Sequence, residues 1–332
     1  MLSVRLATVE DTPDMARLLK WDSQRRTAVD PRLWAPLAPT SSRHIGSISA
    51  ALASTGGSPT ELWLVAREGV RLVGLAHASI VPVPPIYEIE SGPPGLLHDD
   101  GCVSPDAPDG TAQALLAATE AALRNLGAGG LIASCLTGVP QYDIYLSHGY
   151  APVTLYLGKS GLTSSAAPSA NTRRAAAEDL PRIITLSAAH RRTLQMLNGR
   201  FWHSHPEADA RFGTWMRYSL TLADRDMIVA GAPGRVQGYI IAQPIARFLI
   251  PIAHDISGVG VIDDFYAEAF SEVCGQDLSG GEAAELLCAA ESALAGRGFR
   301  SILAVCPAGW ESKLALLQHS GYRAAKVWML KG

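Results

Sequence analysis

The chain repeats itself, and an internal repeat restricts a fold more tightly than composition does. Arg5, Ala7, Glu10, Asp11 and Pro13 return at the same spacing as Arg173, Ala175, Glu178, Asp179 and Pro181. In each copy a short strand is expected to end near the Glu-Asp pair. The Asp, or the residue after it, then caps a helix that opens near the proline. Val65, Ala66 and Gly74 return as Val229, Ala230 and Gly238, the pattern of a β-hairpin. Asp99 and Asp100 match Asp263 and Asp264. Gly110, Ala112, Leu115 and Leu116 match Gly281, Ala283, Leu286 and Leu287, and both runs continue with the apolar spacing of one helix face. Gly127 and Gly298 stand where a glycine ends such a helix. Two apolar strands, 130–135 and 301–306, each lead to a short helix and a Gly-Tyr pair, Gly149-Tyr150 and Gly321-Tyr322.

Between the copies, residues 160–170 are small and polar without periodicity, the composition of a linker. The expected domains are therefore 1–159 and 171–332, and 332 residues suit two of them. With 48% hydrophobic and 18% charged residues, each half can bury a core.

The order in each copy is strand, helix, hairpin, strand, Gly-containing turn, helix, strand, helix, Gly-Tyr, strand. This resembles the GNAT (GCN5-related N-acetyltransferase) family over nearly the whole chain, twice. The fold class implied is α/β (α+β): two tandem GNAT-like domains, each a mixed, mostly antiparallel sheet flanked by helices. In that family a turn of the type Q/R-x-x-G-x-G/A opens the main helix and holds the pyrophosphate of an acyl-CoA. The physics is general, because a helix start offers unpaired N–H groups and a positive dipole end. Here the turn survives as Gly110 with Ala112 and as Gly281 with Ala283, while Ala107 and Leu278 replace the Q/R residue. Ser279, Gly280 and Gly281 open the second turn, whereas Pro108 removes a donor from the first. The second copy is therefore expected to be the better seat for acetyl-CoA. The resemblance implies that Phe265, Tyr266 and Ala267, at the end of the fourth strand, offer backbone groups to the pantetheine. After each Gly-Tyr pair the sequence leaves room for one strand or a shortened hairpin.

Acetyl transfer to an amine requires loss of an ammonium proton, a donor for the thioester oxygen and a proton for the departing thiolate. The resemblance puts a basic carboxylate near the fourth strand, with Asp99, Asp100, Asp263 and Asp264 as candidates. Neighbours on a strand point to opposite faces, so one of each pair is expected in the cleft. The alternative for any of them is a structural carboxylate. Tyr145, four residues before Gly149, takes the family's proton-donor position; the second copy has Leu317 there. A half-buried helix aromatic would also explain Tyr145.

Trp202 and His203 fall where first helices line an acceptor site. His203 and His205 with Glu207 also have a ligand-like spacing, but Pro206 suits a helix start and no further ligands accompany them, so no metal is expected. Gly158-Lys159-Ser160 lacks the first glycine of a P-loop, and Gly258 with Gly260 lacks the third glycine of a dinucleotide turn. A net charge of −3 without long basic runs argues against nucleic acid. No segment reaches the roughly 18 apolar residues of a membrane span, and none reads as a signal peptide. Five scattered cysteines suit reduced thiols, and a cytoplasmic location is expected. The activity expected is acyl-CoA-dependent N-acylation of a small-molecule or amino-terminal amine. The alternative is a degenerate tandem module that binds acyl-CoA, or another ligand, without catalysis.

Overall fold

The computed structural model describes residues 1–37, 46, 48, 49, 52, 61–89, 92–163, 171–274 and 280–332. The first half runs β1 (Leu2–Leu6), α1 (Thr12–Val29), β2 (Glu61–Glu68), β3 (Arg71–Ile80), β4 (Pro94–Leu97), β5 (Cys102–Val103), α2 (Thr111–Asn125), β6 (Gly130–Leu136), α3 (Pro140–Ser147) and β7 (Tyr150–Ser160). The second half runs β8 (Thr172–Arg174), α4 (Leu180–Leu197), α5 (Ala208–Ser219), β9 (Asp226–Ala230), β10 (Gly238–Pro244), β11 (Val259–Ala267), α6 (Glu282–Gly296), β12 (Ser301–Pro307), α7 (Glu311–His319) and β13 (Arg323–Lys331).

The repeated residues do the same work in both halves. Asp11 accepts two hydrogen bonds from Arg5, at 2.6 and 2.9 Å, and one from the Thr8 N–H at 2.8 Å. Asp179 accepts two from Arg173, both at 2.7 Å, and one from the Ala176 N–H at 2.8 Å. Each Asp thus clamps the strand to the turn before the helix. It does not cap the helix itself, because its oxygens are turned back toward the arginine. Ala66 pairs with Gly74 and Ala230 with Gly238, as the hairpin reading expects. A Cβ on Gly74 would meet Leu115 at 2.8 Å, and one on Gly238 would meet Leu286 at the same distance. These glycines let α2 and α6 lie directly on their hairpins. Leu115, Leu116 and Leu123 are buried in one half, and Leu286, Leu287 and Leu294 in the other. Each such side chain contributes about 1.5–3 kcal/mol of transfer free energy. Gly127 and Gly298 follow the helices with φ of 87° and 86°.

All strands join one mixed sheet in the order β1-β2-β3-β4-β6-β13-β7-β12-β11-β10-β9-β8, with β5 alongside β3. The pairs β4–β6 and β11–β12 are parallel and the others antiparallel. One strand follows each Gly-Tyr pair, and the two are exchanged. β13, from the end of the chain, pairs with β6, and β7 pairs with β12. The crossing is pinned on both sides. Lys331 Nζ lies 2.5 and 2.6 Å from the Glu120 carboxylate on α2 and 5.3 Å above the Tyr150 ring. Lys159 Nζ lies 2.6 Å from Glu291 on α6 and 5.5 Å above the Tyr322 ring.

Loops are exchanged too. The segment after β3 reaches the second half, where Glu88 N–H donates to His203 O at 3.0 Å and His205 N–H to Ile86 O at 3.0 Å. The segment after β10 reaches the first half, where Asp255 N–H donates to Ala35 O at 2.8 Å and Leu37 N–H to Ala253 O at 3.1 Å. Among the described residues, no helix is long and apolar enough to cross a membrane.

Candidate functional site

The two acidic pairs sit in different backbones. In the first half the fourth strand breaks. Leu97 on β4 pairs with Ala78 and Cys102 on β5 with Leu75, so four residues, 98–101, stand opposite two. In the second half β11 continues through its acidic pair with a bulge: Ile262 faces Ala242, Asp264 faces Ile241, and Asp263 is the extra residue. The expectation that one carboxylate of each pair points to each face is corrected here. The bulge removes the alternation. Asp264 accepts from Tyr239 Oη at 2.8 Å and lies 3.1 Å from His190 Nδ1, while Asp263 accepts from Gln243 Nε2 at 2.6 Å. Tyr239 and Gln243 alternate on one face of β10, so both carboxylates face the α4 side.

Asp99 and Asp100 are both buried on the α1 side. Asp99 meets Lys326 Nζ at 3.0 Å, Arg26 Nη1 at 3.3 Å and Ser134 Oγ at 3.3 Å. Burial alone would raise its carboxyl, but Lys326 and Arg26 outweigh that and lower it. Asp100 lies 2.7 Å from His77 Nδ1 and accepts the Ile252 N–H at 2.8 Å. Its carboxyl is also lowered, as His77 outweighs burial. In the second half, burial is likewise outweighed at Asp264, where His190 lowers the carboxyl. Asp263 opens onto solvent, yet the protein mass around it and the adjacent Asp264 charge raise it to about 7.

A cavity lies at the break in the first half. Its walls include Leu97, His98, Gly101, Ala112, Leu115 and Tyr145. Tyr145 comes from α3 and accepts a hydrogen bond from Gln141 Nε2 at 3.3 Å. Burial raises its phenol well above the ordinary value, so it stays protonated. Ala112 belongs to the first turn of α2. Gly110 precedes that turn with φ 82°, no side chain caps it, and it carries no acidic residue. Asp106 is paired instead with Arg71.

In the second half a lysine stands at the end of the fourth strand. Lys313 on α7 is buried and donates to the Phe265 carbonyl at 2.7 Å. Its ammonium lies 5.2, 5.8 and 5.3 Å from the ring centres of Phe265, Phe270 and Trp310. Phe265, Tyr266, Ala267 and Ala283 are all buried. Gly280 and Gly281 are exposed before α6, whose first turn carries Glu282 and Glu285. Ser279 lies outside the described residues, as do Leu278 and linker residues 164–170.

Trp202 is buried against Phe201. His203 is partly exposed, with Nε2 3.2 Å from Glu88. The helix expected to start at Pro206 starts at Ala208. The Glu207 N–H instead donates to His205 Nδ1 at 3.0 Å, which leaves the His205 ring proton on Nε2, toward Glu88.

The sequence reading missed a polar stack beside the cavity. The rings of Trp63 and His77 stack at 4.0 Å, and those of His77 and His98 at 4.1 Å. His77 Nε2 lies 3.0 Å from Glu61 Oε1, and His98 Nε2 lies 2.7 Å from Ser79 Oγ. Burial would lower His77, but Asp100 and Glu61 outweigh it and raise it to about 9. Burial, then the His77 charge, lowers His98 to about 3. A signal was present: Glu61 and Trp63, and His77 and Ser79, are two apart on neighbouring strands and so share a face.

Over 99% of its length the chain is similar in structure to a GCN5-related N-acetyltransferase from Sphaerobacter thermophilus, covering 95% of that chain with a TM-score of 0.54 and 15% sequence identity. A tandem GNAT protein from the clavulanic acid biosynthesis pathway gives a TM-score of 0.49 at 14% identity, with 99% of this chain and 98% of that one covered. No protein-family model matches the sequence, and no curated protein matches it. The chain has the GNAT fold.

Proposed function

We propose that the protein is an acyl-CoA-dependent N-acyltransferase, most simply an N-acetyltransferase, with its cofactor seat in the first half. The acceptor is the amine of a small molecule or an amino terminus. The observation that carries the reading is the cavity that brings Tyr145 together with Ala112 on the uncapped start of α2, whose first turn has no acidic residue, though Asp109 precedes it. The pyrophosphate lies at that helix start, and the thioester reaches the cavity. The amine nitrogen attacks the thioester carbonyl, a C–N bond forms, the C–S bond breaks and Tyr145 protonates the departing thiolate. The seat expected in the second half is moved because Lys313 already holds the Phe265 carbonyl there. We place the joint between the halves at residues 160–170.

One observation favours a binding module without catalysis. The acidic residues of the first half are buried against Arg26, Lys326 and His77, so neither is a free base. Calorimetric titration with acetyl-CoA, followed by thiol release across a panel of amines, separates the readings. One equivalent bound with thiol release is expected. One equivalent without release from any amine gives the binding module. No binding, or two equivalents, overturns the assignment of the seat.

A further inference from the structure

We propose that His98 donates a hydrogen bond to the thioester carbonyl oxygen in the first-half cavity, a proposal that rests on the acyl-transfer reading. His98 lines that cavity at the break in the fourth strand, and Tyr145 lines it from α3. A thioester seated between them would turn its oxygen to one wall and its sulfur to the other. His98 Nε2 is committed to Ser79 Oγ at 2.7 Å. With the Ser79 hydroxyl as the donor in that bond, Nε2 accepts. The ring proton of His98 is then on Nδ1, which has no protein partner among the described residues and is not a buried, unsatisfied atom.

Burial, and then the neighbouring stack, keeps this imidazole neutral. His77 lies between Asp100 and Glu61 and carries the positive charge, and a second cation stacked 4.1 Å away would be repelled. The other charges near His98 are Asp99 and Lys326, which are paired with each other. Neutrality suits the chemistry in two ways. A neutral donor does not repel an incoming ammonium. It also keeps its proton while charge builds on the carbonyl oxygen. The electron pair of the carbonyl moves to the oxygen as the amine attacks, and returns as the C–S bond breaks. The thiolate takes its proton from Tyr145, and the surplus amine proton passes through water, which returns one to the Tyr145 oxygen. His77 and Ser79 act through His98 and are positioning residues.

The test uses the full chain with acetyl-CoA labelled with ¹³C at the thioester carbonyl. The variant His98→Phe keeps the stack on His77 and loses the donor, while His98→Gln restores a donor. Infrared difference spectra are expected to show a carbonyl stretch lowered by binding to the parent, unshifted in His98→Phe and partly lowered in His98→Gln. Turnover should fall about 10²–10³-fold in His98→Phe with acetyl-CoA affinity nearly unchanged. Should that variant fail to fold, His98→Gln and Ser79→Ala decide, through the same stretch. A parent that binds acetyl-CoA without a shifted carbonyl, or a His98→Phe protein with parental stretch and turnover, overturns this assignment alone. A parent that binds no acetyl-CoA overturns both it and the reading beneath it.

Discussion

Lys159 and Glu291 stand 132 residues apart in sequence and meet at 2.6 Å. Their counterparts, Lys331 and Glu120, meet at 2.5 Å on the opposite side of the exchanged strands. Each lysine comes from the last strand of its own half and ends on the main helix of the other. The Gly-Tyr pair that marks the end of each repeat supplies the ring beneath that lysine.

The exchange predicts what cutting the linker does. A protease site placed within 164–170 and cleaved should give two fragments that still elute together at the size of the intact chain. They should separate only at a urea concentration that unfolds the protein. Fragments that part under native conditions would remove the exchange from the folded state in solution.

The two pins should be of similar strength. Glu291→Ala leaves Lys159 without its carboxylate, and Glu120→Ala does the same to Lys331. Both ion pairs are partly exposed, so each variant should lose about 1–2 kcal/mol in urea unfolding. A loss confined to one side would show that the pins are unequal in solution.

Glutamate at the two glycine turns should separate the halves. Gly110→Glu should abolish acetyl-CoA binding, because it adds an anion at the helix start and strains a backbone with φ 82°. Gly281→Glu should leave affinity within about twofold. Calorimetry on both variants checks this, and loss of binding only in the Gly281 variant would return the seat to the second half.

Tyr145→Phe keeps the ring in the core and removes the proton donor. Turnover should fall about 10²–10⁴-fold, with acetyl-CoA binding nearly unchanged. Unaltered turnover would leave Tyr145 as a packing residue.

His77 should leave a mark on stability at alkaline pH. Its folded value is about 9, against 6.5 for the free side chain. A raised folded value means the native state holds the proton more tightly. The stabilisation is therefore fully present below 6.5 and is lost as pH rises through 9. It is on the order of 3 kcal/mol. Comparing the parent with His77→Gln in urea at pH 6 and pH 10 cancels the titrating groups that His77 does not touch, and Asp100 and His98, which it does, lie below this range in the parent. The difference should shrink toward alkaline pH, and a constant difference would mean that His77 is neutral when folded.

Much of each half was legible because local patterns set it. The hairpin glycines and the helix-ending glycines are short-range features that recur at the same offsets; the Arg and Asp recur too, but the Asp expected to cap a helix binds the arginine instead. The exchange of β7 and β13 was not legible, since an apolar strand carries no mark of which neighbour it pairs with. The orientation of Asp263 was misread because one extra residue cancels the alternation on which strand arguments rest. His77, His98 and Glu61 were missed because the chain scatters them over two strands and the break between β4 and β5. Lys313, on a short helix, carries no mark in the sequence of the place it takes. Only the folded arrangement turns it inward onto the Phe265 carbonyl.

Two separate copies of one such half, each lending its last strand to the other, would form a closed twofold dimer. Its assembly would depend on protomer concentration. Joining the copies through a short linker makes the same exchange intramolecular, at an effective concentration in the millimolar range for a short flexible connection. The interlock then persists at any dilution. The two copies are also free to diverge without the constraint that every change appears on both sides of the axis. Lys313 and Gln141, each four residues before the matched Leu317 and Tyr145, are one such divergence, available to a single chain and closed to a homodimer.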